Sequence, residues 1–169
     1  RHGELTDALW EGLTDPVVGL IMGLTAENLA EKYDLSREQQ DELALTSHTR
    51  AAEATRSGRF REEIVPVEVR GRRGEVTVCD TDEHIRMDAT AESLAELKPT
   101  FKKDGTVTAG NSSGINDGAA FCVVASERKV RELGLAPVAR LVSHAAAGVE
   151  PELMGYGPVP ATRKVLKRS

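Results

Sequence analysis

The sequence predicts an α/β fold, and three local patterns carry that prediction. Ser36-Arg37-Glu38-Gln39 has the form of a capping box, and the stretch after it is rich in Ala, Glu, Gln and Leu up to Ser57, with Gly58 placed to close the helix. β-Branched runs at 64–69 and 75–78 flank the tight Gly71-Arg72-Arg73-Gly74, the arrangement of a hairpin in which Pro66 favours an edge strand. Residues 120–125 form a fully apolar run of strand length that leads into a charged helix, 126–133, stopped by Gly134. A central strand followed by a surface helix fits that pattern.

The remaining elements follow in chain order. Residues 15–23 are apolar, and Pro16, Gly19 and Gly23 interrupt any long helix there. Thr25 is placed to cap a helix through Ala26-Glu27-Asn28-Leu29-Ala30, which makes Met22 a residue just before a helix N-terminus. From 80 to 104 the chain is a long charged loop in which only 91–97 has helical character, ended by Pro99. Residues 138–147 read as a further strand, and Pro160 opens a last helix. No internal repeat or low-complexity tract is present.

Composition narrows the function classes. Of the 169 residues, 40% are hydrophobic and 29% charged, the balance of a globular protein. A net charge of -5 argues against a dedicated nucleic-acid binder, which would need a basic face to neutralise phosphates. No apolar run approaches the roughly 20 residues of a membrane helix, and the N-terminus lacks a signal-peptide pattern, so a cytoplasmic protein without a membrane partner is expected. Cys79 and Cys122 lie far apart without a Cys-x-x-Cys partner, so spacing supports neither a disulfide framework nor a metal site. The chain starts at Arg1 rather than methionine and stops at Ser169 within a helical pattern, and it reads as a piece of something longer.

Residues 105–120, GTVTAGNSSGINDGAA, are small and polar with neither helical nor strand periodicity. A loop this poor in bulk serves close backbone approach. Four further segments accompany it in order: Met22-Gly23-Leu24-Thr25-Ala26-Glu27-Asn28-Leu29-Ala30, Gly58-Arg59-Phe60-Arg61-Glu62-Glu63-Ile64-Val65-Pro66, Lys98-Pro99-Thr100-Phe101, and Met154-Gly155-Tyr156-Gly157-Pro158-Val159-Pro160-Ala161. With the loop they resemble the thiolase family over nearly the whole chain. A lone glycine-rich loop would be weak; five ordered motifs are specific.

The resemblance implies a layered αβαβα fold of two similar halves, with a loop domain inserted in the first half and covering the active site. By that likeness residues 1–110 hold the loop domain, which covers substrate and binds coenzyme A, with the end of its connection to the first half. Residues 111–135 hold the last strand and helix of the first half, and 136–169 the truncated start of the second. Family chemistry joins or cleaves acyl-CoA thioesters: one cysteine takes the acyl group from the thioester while a second acts as acid and base at the α-carbon. Coenzyme A thioester is thus implied as substrate, with no tightly bound cofactor, and a homodimer or homotetramer as the intact enzyme.

The family's catalytic contexts are absent from these residues. Cys79 stands at a charged hairpin end and Cys122 within the apolar run, so both are expected to be structural, the latter as a buried thiol. His2, His48, His84 and His144 match no catalytic motif and are expected in surface or packing roles. Binding residues are implied where motifs match. Ser113 resembles the serine that bonds the pantetheine arm, and Ala109 the small residue beside which that arm passes. Phe101 and Met22 resemble residues lining the pantetheine and acyl region, and Met154 another acyl-pocket methionine. Leu13 and Ser93 match contacts to the nucleotide end, where Arg86 resembles an arginine lying against adenine and phosphate. Read without the family, Phe101, Met22 and Met154 are core residues, Arg86 a solvated charge and Ser113 a turn former.

Two departures stand out. Ile21-Met22-Gly23 replaces the His-Met-Gly of many short-chain members, and the hairpin tip 70–74 is basic, a solvated turn or an attractor of the anionic coenzyme. A non-catalytic thiolase-like CoA- or lipid-binding module, or an assembly element, is the alternative to an enzyme.

Overall fold

The computed structural model describes residues 5–169, so His2 lies outside them. Its elements are α1 (Ala8–Gly12), α2 (Met22–Tyr33), α3 (Arg37–Arg56), β1 (Val67–Arg70), β2 (Val76–Cys79), α4 (Ala91–Ala95), α5 (Glu127–Glu132), a 3-10 helix (Pro151–Tyr156) and α6 (Pro158–Leu166). They fall into two compact units. One is Ala30–Gly114, and the other joins the residues up to Leu29 with Ile115–Ser169, the division falling inside α2.

In the first unit α3 is the longest element and forms as its sequence dictates. The Ser36 hydroxyl accepts from the Gln39 N–H at 3.3 Å, and the Gln39 side chain accepts from the Ser36 N–H at 2.9 Å, closing the capping box. Gly58, at φ +76°, ends the helix in the left-handed region. The Ser36 hydroxyl, and next the Glu38 backbone N–H, hold the Glu38 carboxyl below its ordinary value. A depressed carboxyl stabilises the folded state above its unfolded pKa, and that contribution is lost as pH falls through the lowered value. α4 carries the same device, with Thr90 and Ser93 capping each other; sequence reading placed the helix but not this cap. The two helices pack together, and Ala52, Leu94, Val107 and Ala30 are buried.

β1 and β2 pair antiparallel, Val67 opposite Cys79 and Arg70 opposite Val76, with Gly74 at φ +85° in the turn. The hairpin is shorter than the β-branched runs that flag it, because Ile64, Val65 and Pro66 lie outside the ladder.

The second unit holds α1, most of α2, α5, the 3-10 helix and α6. Here α2 starts at Met22, four residues before the Ala26 that a cap at Thr25 would give. Ile21 bridges Thr14 in antiparallel fashion and its carbonyl accepts from the N–H groups of Leu24 and Thr25, so the turn begins at Met22. Thr25 is inside the helix, buried, with its hydroxyl donating to the Met22 carbonyl at 2.7 Å. Pro158, not Pro160, occupies the start of α6. The Asn28 amide donates to the Glu152 carbonyl at 3.1 Å, and Gly155 lies so close to Leu29 that a Cβ would stand 2.9 Å from its Cδ1, which seats the 3-10 helix on α2.

The strands expected at 120–125 and 138–147 are not formed. No strand pairs with either run among the described residues, and an extended apolar segment becomes a strand only by exchanging ladder hydrogen bonds. Their side chains are correspondingly open: Phe121 is 97% exposed, Val123 93% and Val138 fully. Cys122 is therefore exposed rather than buried, as is Cys79, which corrects the expectation of a packed thiol. No helix among the described residues is long and apolar enough to cross a membrane.

Candidate functional site

The small-residue loop is fixed to α3 by a polar network that is largely buried. Arg37 and Asp41 lie one turn apart on α3, and the Arg37 Nε donates to Asp41 Oδ2 at 2.6 Å. The other Asp41 oxygen accepts from the Asn111 amide at 3.0 Å. That amide also donates to the Thr106 carbonyl at 3.0 Å, and its oxygen accepts from the Thr108 N–H at 2.8 Å. Thr108 is fully buried, and its hydroxyl accepts from the N–H groups of Gly110 and Asn111. Gln40, the neighbour of Asp41, donates to the Thr106 hydroxyl at 2.9 Å.

The same arginine ties in α4. Its Nη2 donates to the carbonyls of Leu94 and Leu97 at 2.6 and 3.0 Å, satisfying groups that the end of a helix leaves open. Gly110 rests on this helix end: a Cβ there would lie 2.5 Å from Leu97 Cδ1 and 2.7 Å from Leu94 Cδ2. One network thus sets the spacing between α3, α4 and the loop.

What the loop presents follows from that anchoring. Ala109 and Ser113 are exposed, and the Ser113 hydroxyl has no hydrogen-bond partner among the described residues. The neighbouring Ser112 hydroxyl is buried without one. Phe101, half-buried, stands on the return 99–108, where Pro99 bridges Thr108 and the Thr100 N–H donates to the Val107 carbonyl at 2.9 Å. Arg86 is exposed and its guanidinium is unpaired among the described residues, while its backbone N–H donates to His48 Nδ1 at 3.2 Å. Ser93 is exposed, but its hydroxyl already donates to the Thr90 carbonyl and accepts from the Thr90 N–H, so it meets a ligand only as an acceptor.

In the second unit the structure brings Leu13 and Met22 together, the Met22 N–H donating to the Leu13 carbonyl at 3.0 Å. The link is made by a tight return at 14–21, in which the Asp15 carboxylate accepts from the N–H groups of Val17 and Val18 and Gly19 takes φ +67°. Met22 is 47% and Met154 40% exposed, so each offers a soft apolar side chain rather than a filled core position.

Residues 2–128 match the family model described as "Thiolase, N-terminal domain". The chain belongs to the thiolase family. It is 52% identical over 168 residues to the acetyl-CoA acetyltransferase of Syntrophomonas wolfei, covering 99% of this chain and 42% of that protein. Among solved structures it resembles the Bacillus anthracis acetyl-CoA acetyltransferase with a TM-score of 0.90 and 54% identity, over 99% of this chain and 42% of that one. Human mitochondrial 3-ketoacyl-CoA thiolase in complex with CoA gives a TM-score of 0.86 and 46% identity, over 97% of this chain and 40% of that one. The chain therefore spans about two fifths of the length of these relatives.

The thiolase fold expected from the motifs is the fold found, present here as an α/β segment of it. The motifs single out side chains that the loops display rather than those that hold them, which are Arg37, Asp41, Asn111 and Gly110 at 106–113 and His48 at Arg86. A signal for the first pair existed, since Arg and Asp four apart on a helix with good caps form an ion pair. Thr108-x-x-Asn111 likewise has the form of a side-chain turn. Nothing local marks the long-range bond from Asn111 to Asp41.

Proposed function

We propose that the full protein is an acyl-CoA C-acyltransferase, an acetyl-CoA acetyltransferase or 3-ketoacyl-CoA thiolase, and that this segment holds the coenzyme A of its substrate. The observation that carries the reading is the loop 106–113: its backbone is pinned by Asp41 and Asn111, while its outward groups are a small Ala109 and the unpaired Ser113 hydroxyl. A thin arm can pass Ala109 closely and bond Ser113 without displacing a protein partner. Arg86, unpaired and exposed, suits the nucleotide end, because a guanidinium both stacks and attracts phosphate. Leu13, Met22, Ser93, Phe101 and Met154 are assigned to the contacts described for them above. The assignment of 1–110 to the loop domain, 111–135 to the first half and 136–169 to the second belongs to this reading, as do a cytoplasmic location and a homo-oligomer.

The segment supplies binding groups rather than the reacting ones. Both cysteines are exposed and neither stands in the family's catalytic contexts; a CoA- or lipid-binding module without turnover, the second reading, would share the same binding groups. Thiolysis of acetoacetyl-CoA by the full protein separates the two, since only the enzyme releases acetyl-CoA.

Arg86→Ala and Ser113→Ala in the full protein test the binding assignment. A contact far from the reacting carbon is made in the ground and transition states alike, so each change is expected to raise the KM for the CoA thioester about three- to tenfold with kcat within about twofold. Unchanged KM values in both variants would contradict it.

Ile21 bears on substrate length. It bridges Thr14 directly before Met22, half-buried, and an apolar side chain there offers surface to an acyl tail at about 0.8 kcal/mol per buried methylene. Catalytic efficiency is expected to rise from four-carbon to longer 3-ketoacyl chains. A steady fall from the four-carbon substrate onward would contradict that expectation.

A further inference from the structure

Arg86 lies in a stretch of the first unit without a helix or strand, between β2 and α4. A loop of that kind places a side chain well only where something rigid holds its backbone. α3 does so at two successive residues. His48 Nδ1 accepts from the Arg86 backbone N–H at 3.2 Å, and the Arg56 guanidinium donates to the Met87 carbonyl at 2.7 Å. His48 and Arg56 are eight residues apart, so a little over two turns puts them on one face of the helix. That face also carries Asp41 and the nearly fully buried Ala52. The loop is thus gripped by backbone atoms while the Arg86 guanidinium stays exposed and unpaired among the described residues.

We infer that His48 is a positioning residue for coenzyme A binding, acting through Arg86. The inference rests on the reading of Arg86 as a nucleotide contact. In this bond Nδ1 is the acceptor, so His48 contributes a fixed lone pair to the Arg86 N–H. A side chain that lacks an acceptor at this point releases the Arg86 backbone, and the guanidinium then spends only part of its time where phosphate or adenine would meet it. The loss falls on ground-state and transition-state binding equally.

The test is a kinetic cycle in the full protein with His48→Leu, His48→Gln, Arg86→Ala and the double variant His48→Leu/Arg86→Ala. His48→Leu is expected to raise the KM for the CoA thioester about two- to fivefold, with kcat within about twofold. His48→Gln, whose amide oxygen can accept the same N–H, is expected to stay near wild type. In the Arg86→Ala background the leucine change is expected to add nothing, because a residue acting through Arg86 has nothing left to position. Additive effects, or a glutamine variant as impaired as the leucine one, would overturn the inference. Hydrogen exchange at the Arg86 amide reads the anchor without any ligand and is expected to be faster in His48→Leu. Unchanged exchange with a working Arg86 contact overturns the positioning role. Faster exchange with no effect of Arg86→Ala on KM overturns instead the reading of Arg86 on which it rests.

Discussion

Asp41→Ala is expected to lower the unfolding free energy of the full protein by about 2–4 kcal/mol. The carboxylate is buried with Arg37 on one side and the Asn111 amide on the other, so its removal strands two donors at once. The side chains of Arg37 and Asp41 keep 19% and 11% of their exposure, which places the expected loss below that of a fully buried pair. Arg37 keeps its bonds to the Leu94 and Leu97 carbonyls, so α4 stays docked and the damage concentrates on the loop. The KM for the CoA thioester is therefore expected to rise along with the loss of stability. Chemical denaturation and steady-state kinetics check both, and a variant that melts like wild type and keeps its KM would show that the network is incidental.

Gly110→Ala has the second large expected effect. Its φ is not in the left-handed region, so the cost is steric. The new Cβ would stand 2.5 Å from Leu97 Cδ1 and 2.7 Å from Leu94 Cδ2. Leu97 is 37% exposed and can turn outward; Leu94 is 5% exposed and has nowhere to go. The loop must lift instead, at about 1–3 kcal/mol, and it carries Ala109 and Ser113 with it. Thermal melts and KM values should both move, and adding Leu94→Ala should restore part of the KM by making room while costing stability of its own. A Gly110→Ala variant indistinguishable from wild type would contradict the close packing of loop on helix.

α3 was legible because everything that makes it lies within its own residues: the Ser36 and Gln39 box, good helix formers, and Gly58 at the end. The hairpin turn was legible for the same reason. The start of α2 is not legible in the same way: Thr25 is an ordinary cap residue on propensity, and what overrides it is a bridge between Thr14 and Ile21 that no local rule foresees. The runs at 120–125 and 138–147 have strand composition, but a strand is a property of two segments, and the second is not among the described residues. Among the residues assigned to the proposed site, Ala109, Ser113 and Arg86 stand in recognisable motifs. The anchoring by Asp41, His48 and Asn111 is not legible there, because it comes from bonds spanning 70 residues between Asp41 and Asn111 and 38 between His48 and Arg86. Charge and capping are written locally, whereas the anchoring of the loop 106–113 is written across the fold.

The most direct measurement is a crystal structure of the full protein with coenzyme A bound. The account predicts the Ser113 hydroxyl within hydrogen-bond distance of the pantetheine arm, the arm passing Ala109, and the Arg86 guanidinium against the adenine or a phosphate. It also predicts Asn111 still bonded to Asp41 beneath the loop. Coenzyme A seated away from the loop 106–113, with Arg86 and Ser113 both free of it, would contradict the account.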